Sequence, residues 1–206
     1  MFLRTILKNY LILFLLVFSF YTSFSYSDDQ KIKTLNQLGS NEAKNTLVEY
    51  ASLSCVHCAN FHNNEFLKIK INFIDTGKLK FIYKDFPLDR PAMYASLVNH
   101  CFSGEQYFEV LSSLYRNQRK WVSVSNNSGK FYGALHDTLK VHGIKLEKVI
   151  ECVDDKSEAN KDKWNGILAS RLEGQNSGVN STPTFFLNGK KIEEPLSYEV
   201  LKNLIK

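Results

Sequence analysis

Leu47-Val48-Glu49-Tyr50-Ala51-Ser52-Leu53-Ser54-Cys55-Val56-His57-Cys58 reads as a short apolar strand, a tight loop and the first turn of a helix. The two cysteines are spaced i, i+3, which on one helical turn puts both sulfurs on the same side. The first falls at the exposed helix N-terminus. There a thiolate meets free backbone N–H groups and the positive end of the helix dipole. Two sulfurs so placed can bond to each other and exchange that bond with a partner. A lone C-x-x-C is also half of a zinc site. The metal reading would recruit His57 and His62, but no second C-x-x-C and no H-x-x-H occurs to complete it.

Downstream, Phe66, Ile69, Phe73 and Ile74 recur at helical spacing, and Gly77 is a plausible stop. Leu79 to Tyr83 is a second strand, ending at Asp85-Phe86-Pro87. Strand, helix and strand in that order form a parallel βαβ unit. Upstream, Asp28 to Asn45 is polar, with a short leading strand expected near Ile32 to Leu35. From Pro91 to about Gln175 the apolar residues follow helical spacing, with breaks expected at Gly104, Gly129, Gly143 and Gly174. Strand signals resume at Thr184 to Leu187. Asn188-Gly189 then signals a two-residue hairpin, and Lys191-Ile192 begins the return strand. Pro195 and Ser197 open a last amphipathic helix carrying Val200, Leu201, Leu204 and Ile205. Asn126-Asn127-Ser128 and Asn180-Ser181-Thr182 match the glycosylation sequon and are read as chance.

The chain has 206 residues, enough for one compact domain with a sizeable core. Residues 1–27 read as a secretory signal peptide, leaving 28–206 as the folded domain. Arg4 and Lys8 make the basic region, Tyr10 to Tyr21 the apolar run, and Ser25-Tyr26-Ser27 the small-x-small site. A membrane span needs about 20 apolar residues, so cleavage is expected rather than retention. Without this segment 24 basic residues face 21 acidic ones. That balance is too mild to suggest nucleic acid or an anionic membrane as partner. Four cysteines in an exported chain favour two disulfides. Proximity pairs Cys55 with Cys58, which leaves Cys101 with Cys152.

The chain resembles the DsbA-like thiol:disulfide oxidoreductases of the thioredoxin superfamily. Four stretches carry the resemblance: Thr46 to Tyr50, Cys55-Val56-His57-Cys58, Tyr83 to Leu88, and Gly178 to Gly189 with its Thr182-Pro183-Thr184-Phe185-Phe186. Val56 departs from the best-known DsbA motif, which has proline before the histidine. The resemblance implies an α/β thioredoxin fold, a central mixed sheet flanked by helices, with a helical insertion at about 91–175. It implies Cys55 as nucleophile, Cys58 as resolving thiol and His57 as a donor of hydrogen bond or charge. Glu49 becomes a buried acid that exchanges protons with Cys58, and Pro183 a cis-proline packed against the disulfide. Thr182 and Val56 become substrate contacts, and Cys101–Cys152 a structural bridge.

The expected protein is a periplasmic oxidoreductase that donates the Cys55–Cys58 disulfide to exported polypeptides with free cysteines. No diffusible cofactor and no metal are expected. A membrane partner is expected to reoxidise it, and the protein is expected to be a monomer. The rivals are an isomerase or reductase of the same fold, and a metal-binding or peptide-holding module. An oxidant requires a stabilised Cys55 thiolate, so a Cys55 pKa well below neutral is expected, with His57 supplying part of the shift.

Overall fold

A computed structural model describes residues 36–205. The signal segment and the leading strand expected at Ile32 to Leu35 lie outside the described residues. Five strands form one sheet: β1 Gln37–Leu38, β2 Asn45–Ala51, β3 Leu79–Asp85, β4 Thr184–Leu187 and β5 Lys190–Ile192. Their order is β1-β3-β2-β4-β5. β2 and β3 run parallel, and every other pair is antiparallel. This is the mixed sheet of the thioredoxin fold. β2 sits at its centre, bonded to β3 on one side and β4 on the other.

Helix α1, Val56–Phe61, leaves the end of β2. It continues without interruption through a π-helical turn His62–Phe66, an α turn Leu67–Ile69 and a second π turn Lys70–Ile74. The buried Phe61 and the packed Phe66 are five residues apart, one π turn rather than one α turn. Cys55 itself caps this helix instead of beginning it. Between β3 and β4 lie α2 Arg90–Asn99, α3 Glu105–Arg116, α4 Gln118–Val122, α5 Ser128–Leu139, α6 Leu146–Cys152 and α7 Glu158–Asn176. Helix α8, Tyr198–Leu204, follows β5 and is capped by Ser197.

Two of the four expected breaks are real. Gly104 precedes α3 at φ 60, and Gly143 ends a 3₁₀ turn at φ 72, conformations that cost glycine little. Gly129 and Gly174 lie inside helices instead. Gly174 is there for space: a Cβ would stand 2.8 Å from Tyr50 Cδ1 and 2.9 Å from Phe86 Cδ2. The missing side chain lets α7 lie directly on those two rings.

The alternation of β2 divides its residues between two faces. Tyr50 joins Phe86 and Val179 beneath α7. Leu47 and Ala51 face the main core, shared with Phe81, Tyr107, Leu111, Leu114, Trp121 and Leu135. The inserted helices therefore share one core with the sheet. Glu49 points the same way as Leu47 and Ala51 and is fully buried. At the far end, Asn188 (φ 52) and Gly189 (φ 79) turn β4 into β5. Asn188 Oδ1 accepts from the Thr46 N–H at 2.8 Å, tying the hairpin to β2.

Candidate active site

The C-terminal end of β2 delivers the chain into Ser52-Leu53-Ser54-Cys55, and the loop is held from several sides. The Cys55 N–H donates to the Ser52 carbonyl at 3.0 Å. Ser52 Oγ accepts from the Leu88 N–H at 3.2 Å. Gln118 Nε2 donates to the carbonyls of Leu53 and Cys55 at 2.7 and 2.9 Å. Tyr115 Oη donates to the Ser52 carbonyl at 3.3 Å. Tyr115 and Gln118 come from the inserted helices, so that segment fixes the loop bearing the cysteines. The sequence holds no signal for Gln118, because an isolated glutamine in a helical stretch has no periodicity to mark it.

Cys55 Sγ occupies the N-cap position and accepts from the Cys58 N–H at 3.2 Å. Its thiol also lies 3.2 Å from the Thr182 carbonyl. The Thr182–Pro183 peptide bond is cis. The Thr182 hydroxyl is buried with no partner among the described residues. The Cys55 thiol is lowered from 9.0 to about 6. The largest cause is a hydrogen bond from the Cys58 thiol. Burial opposes it; the backbone N–H groups of Cys58 and His57 add to it. Cys58 is fully buried, and burial drives its thiol far above the ordinary range, aided by Cys55 and the Glu49 charge. One sulfur is thus prepared as a thiolate, and the other is held as a thiol.

The structure alters two expectations. His57 is exposed, and its ring makes no hydrogen bond to Cys55 among the described residues. What this residue gives the sulfur is its backbone N–H. The Cys55 pKa falls about one unit below neutral, a smaller drop than expected, because desolvation of the sulfur offsets part of the gain.

Glu49 stands at the register position between Tyr83 of β3 and Phe185 of β4. Its Oε2 lies 2.9 Å from His62 Nε2, while Oε1 is buried without a partner among the described residues. A second buried acid, Asp85, receives Ser96 Oγ at 2.6 Å and stands 2.7 Å from His100 Nε2. Val56 is 54% exposed beside the cysteines, and Thr182 is half-buried. Cys101 and Cys152 are bonded to each other, 51 residues apart in sequence. No group of three or more His, Cys, Asp or Glu could hold a metal ion among the described residues.

Comparison with known proteins gives the family of the fold. A family model described as thioredoxin matches residues 31–206. A Rickettsia bellii protein named as a protein-disulfide oxidoreductase is 28% identical over 158 residues. The match covers 76% of this chain and 58% of that protein, so the chain spans little more than half its length. Disulfide bond formation protein D of Bacillus subtilis is 26% identical over 188 residues, covering 87% of this chain and 79% of the other. Among solved structures, Wolbachia pipientis alpha-DsbA1 superposes with a TM-score of 0.72 at 28% identity, covering 84% of this chain and 89% of that one. Oxidised BdbD of Bacillus subtilis gives 0.62 at 25% identity, covering 85% and 92%. The family match, the sheet order and the DsbA-like course of the helices between β3 and β4 together show that the chain belongs to the thioredoxin family, in its DsbA-like form.

Proposed function

We propose that the protein is a thiol:disulfide oxidoreductase that donates its Cys55–Cys58 disulfide to exported polypeptides. The observation that carries this reading is the contrast between the two sulfurs: Cys55 is lowered to about 6, while burial pushes Cys58 far up. A client thiolate attacks Cys55 Sγ, the Cys55–Cys58 bond breaks, and Cys58 leaves with the electron pair and takes up a proton. A second client thiolate then attacks the client sulfur of the mixed disulfide. Cys55 departs as a thiolate, and the client carries the new disulfide. The stabilised Cys55 thiolate is the better leaving group, which favours release toward an oxidised client.

Val56 and the backbone at Thr182 flank the disulfide and are the surfaces a client segment would touch. The Cys101–Cys152 bridge is structural in this reading. The action takes place in the periplasm, reached through the signal segment 1–27, and a membrane oxidant restores the disulfide. The test is trapping. Cys58→Ser should accumulate mixed disulfides with client proteins through Cys55, and Cys55→Ser should accumulate none. Trapping by Cys55→Ser alone would reverse the assignment.

A further inference from the structure

A resolving thiol must give up a proton whenever it attacks and recover one whenever it leaves, yet Cys58 is fully buried. The Glu49 carboxylate, near enough for its charge to act on Cys58, has one oxygen, Oε1, with no partner among the described residues, and the other bonded to His62 Nε2 at 2.9 Å. Glu49 is itself sealed from solvent, so its proton needs an onward carrier. His62 begins the first π turn after α1. Its ring stacks on Tyr115 at 4.4 Å between centroids and 15° between planes, and meets Tyr83 edge-on at 6.1 Å. These contacts fix the imidazole plane with Nε2 aimed at Glu49. The same residue, its side chain 2% exposed, lines a surface groove of about 470 Å³.

Taking Cys58 as the resolving thiol of the proposed oxidoreductase, we propose that His62 relays the proton exchanged by Cys58, passing it between Glu49 and that groove. When a client thiolate breaks the Cys55–Cys58 bond, Cys58 takes a proton from the Glu49 carboxyl. Glu49 is reprotonated by the imidazole, and the imidazole draws a proton from the groove. When Cys58 attacks a mixed disulfide the same proton runs outward, and no oxidant or reductant beyond the exchanging disulfide takes part. The other groups facing the ring do not substitute for it. Burial pushes the phenols of Tyr83 on β3 and Tyr115 on α3 well above 10.0, so both stay protonated. Lys70, Asp75, Glu105, Glu109 and Arg116 border the groove. An imidazole can accept a proton on one nitrogen while releasing one from the other.

The test isolates the Cys58 step. Cys55 is loaded with glutathione as a mixed disulfide, and release of glutathione by Cys58 is followed against pH. His62→Gln keeps a donor to Glu49 but cannot carry a proton. His62→Ala leaves a gap beside the groove that free imidazole can enter. The expected result is release about tenfold slower or more in both variants near neutral pH. Added imidazole should restore the alanine variant, more strongly as rising pH frees the imidazole base. The alkylation profile of Cys55 should stay unchanged throughout. A glutamine variant that releases at the wild-type rate overturns the relay, as does an alanine variant that imidazole leaves slow. A wild-type protein that releases no glutathione through Cys58 overturns instead the oxidoreductase reading beneath it.

Discussion

Cys55 uses one atom for two purposes: its sulfur caps α1, and the same acceptor position is where the redox charge resides. A thiol lowered from 9.0 to about 6 implies a thiolate favoured by up to about 4 kcal/mol, less what solvent screening at this sulfur removes. A helix dipole supplies at most about 2 kcal/mol, so donors aimed at the sulfur must supply the remainder. Those donors are the Cys58 thiol and two backbone N–H groups. None of them is the His57 ring. His57→Ala should therefore leave the pH midpoint of Cys55 alkylation close to 6. A rise of a full unit would return the ring to the account.

At the scale of elements, the active-site loop depends on helices far from it in sequence. Gln118 joins the start of α4 to two loop carbonyls, and it is buried. Gln118→Ala strands both carbonyls and should cost about 1–3 kcal/mol in urea unfolding, with faster proteolysis at the loop. An unchanged midpoint would mean the loop is held elsewhere. Gly174→Ala drives a methyl into Tyr50 and Phe86 and should cost about 1–3 kcal/mol, read by the same unfolding curves. A neutral outcome would mean α7 shifts freely over β2. The βαβ start, the Asn188-Gly189 hairpin and the C-x-x-C cap are legible in the sequence, because each is a local pattern with a fixed spacing. Gly174 reads as a break although it is none, since helix packing and helix ending leave the same letter. The partner of Glu49 is not legible either: His62 stands out only as a metal-ligand candidate, and its use depends on a π turn and on the register of β2.

For the molecule as a whole, the insertion and the sheet share one core, and the Cys101–Cys152 bridge spans 51 residues of that insertion. A loop of this length predicts a loss of up to about 4 kcal/mol when both cysteines are replaced by alanine, measured as unfolding free energy of the oxidised protein. A loss near zero would leave the bridge without a structural role. The central claim is that Cys55 ionisation sets the balance between the redox forms, and pH acts on it with a definite sign. The Cys55 pKa is depressed in the folded reduced protein. Its stabilisation therefore grows as pH rises from about 6 toward 9.0 and is lost as pH falls through 6. The oxidised form has no such group. Cys58 stays a thiol across that window and opposes the reduced form only above it. The most direct measurement is the unfolding free energy of both forms across this pH range. The account predicts that their difference moves toward the reduced form by about 1.4 kcal/mol per pH unit between 6 and 9, and is flat below 6. A difference that does not change with pH, or that moves toward the oxidised form as pH rises, would contradict it.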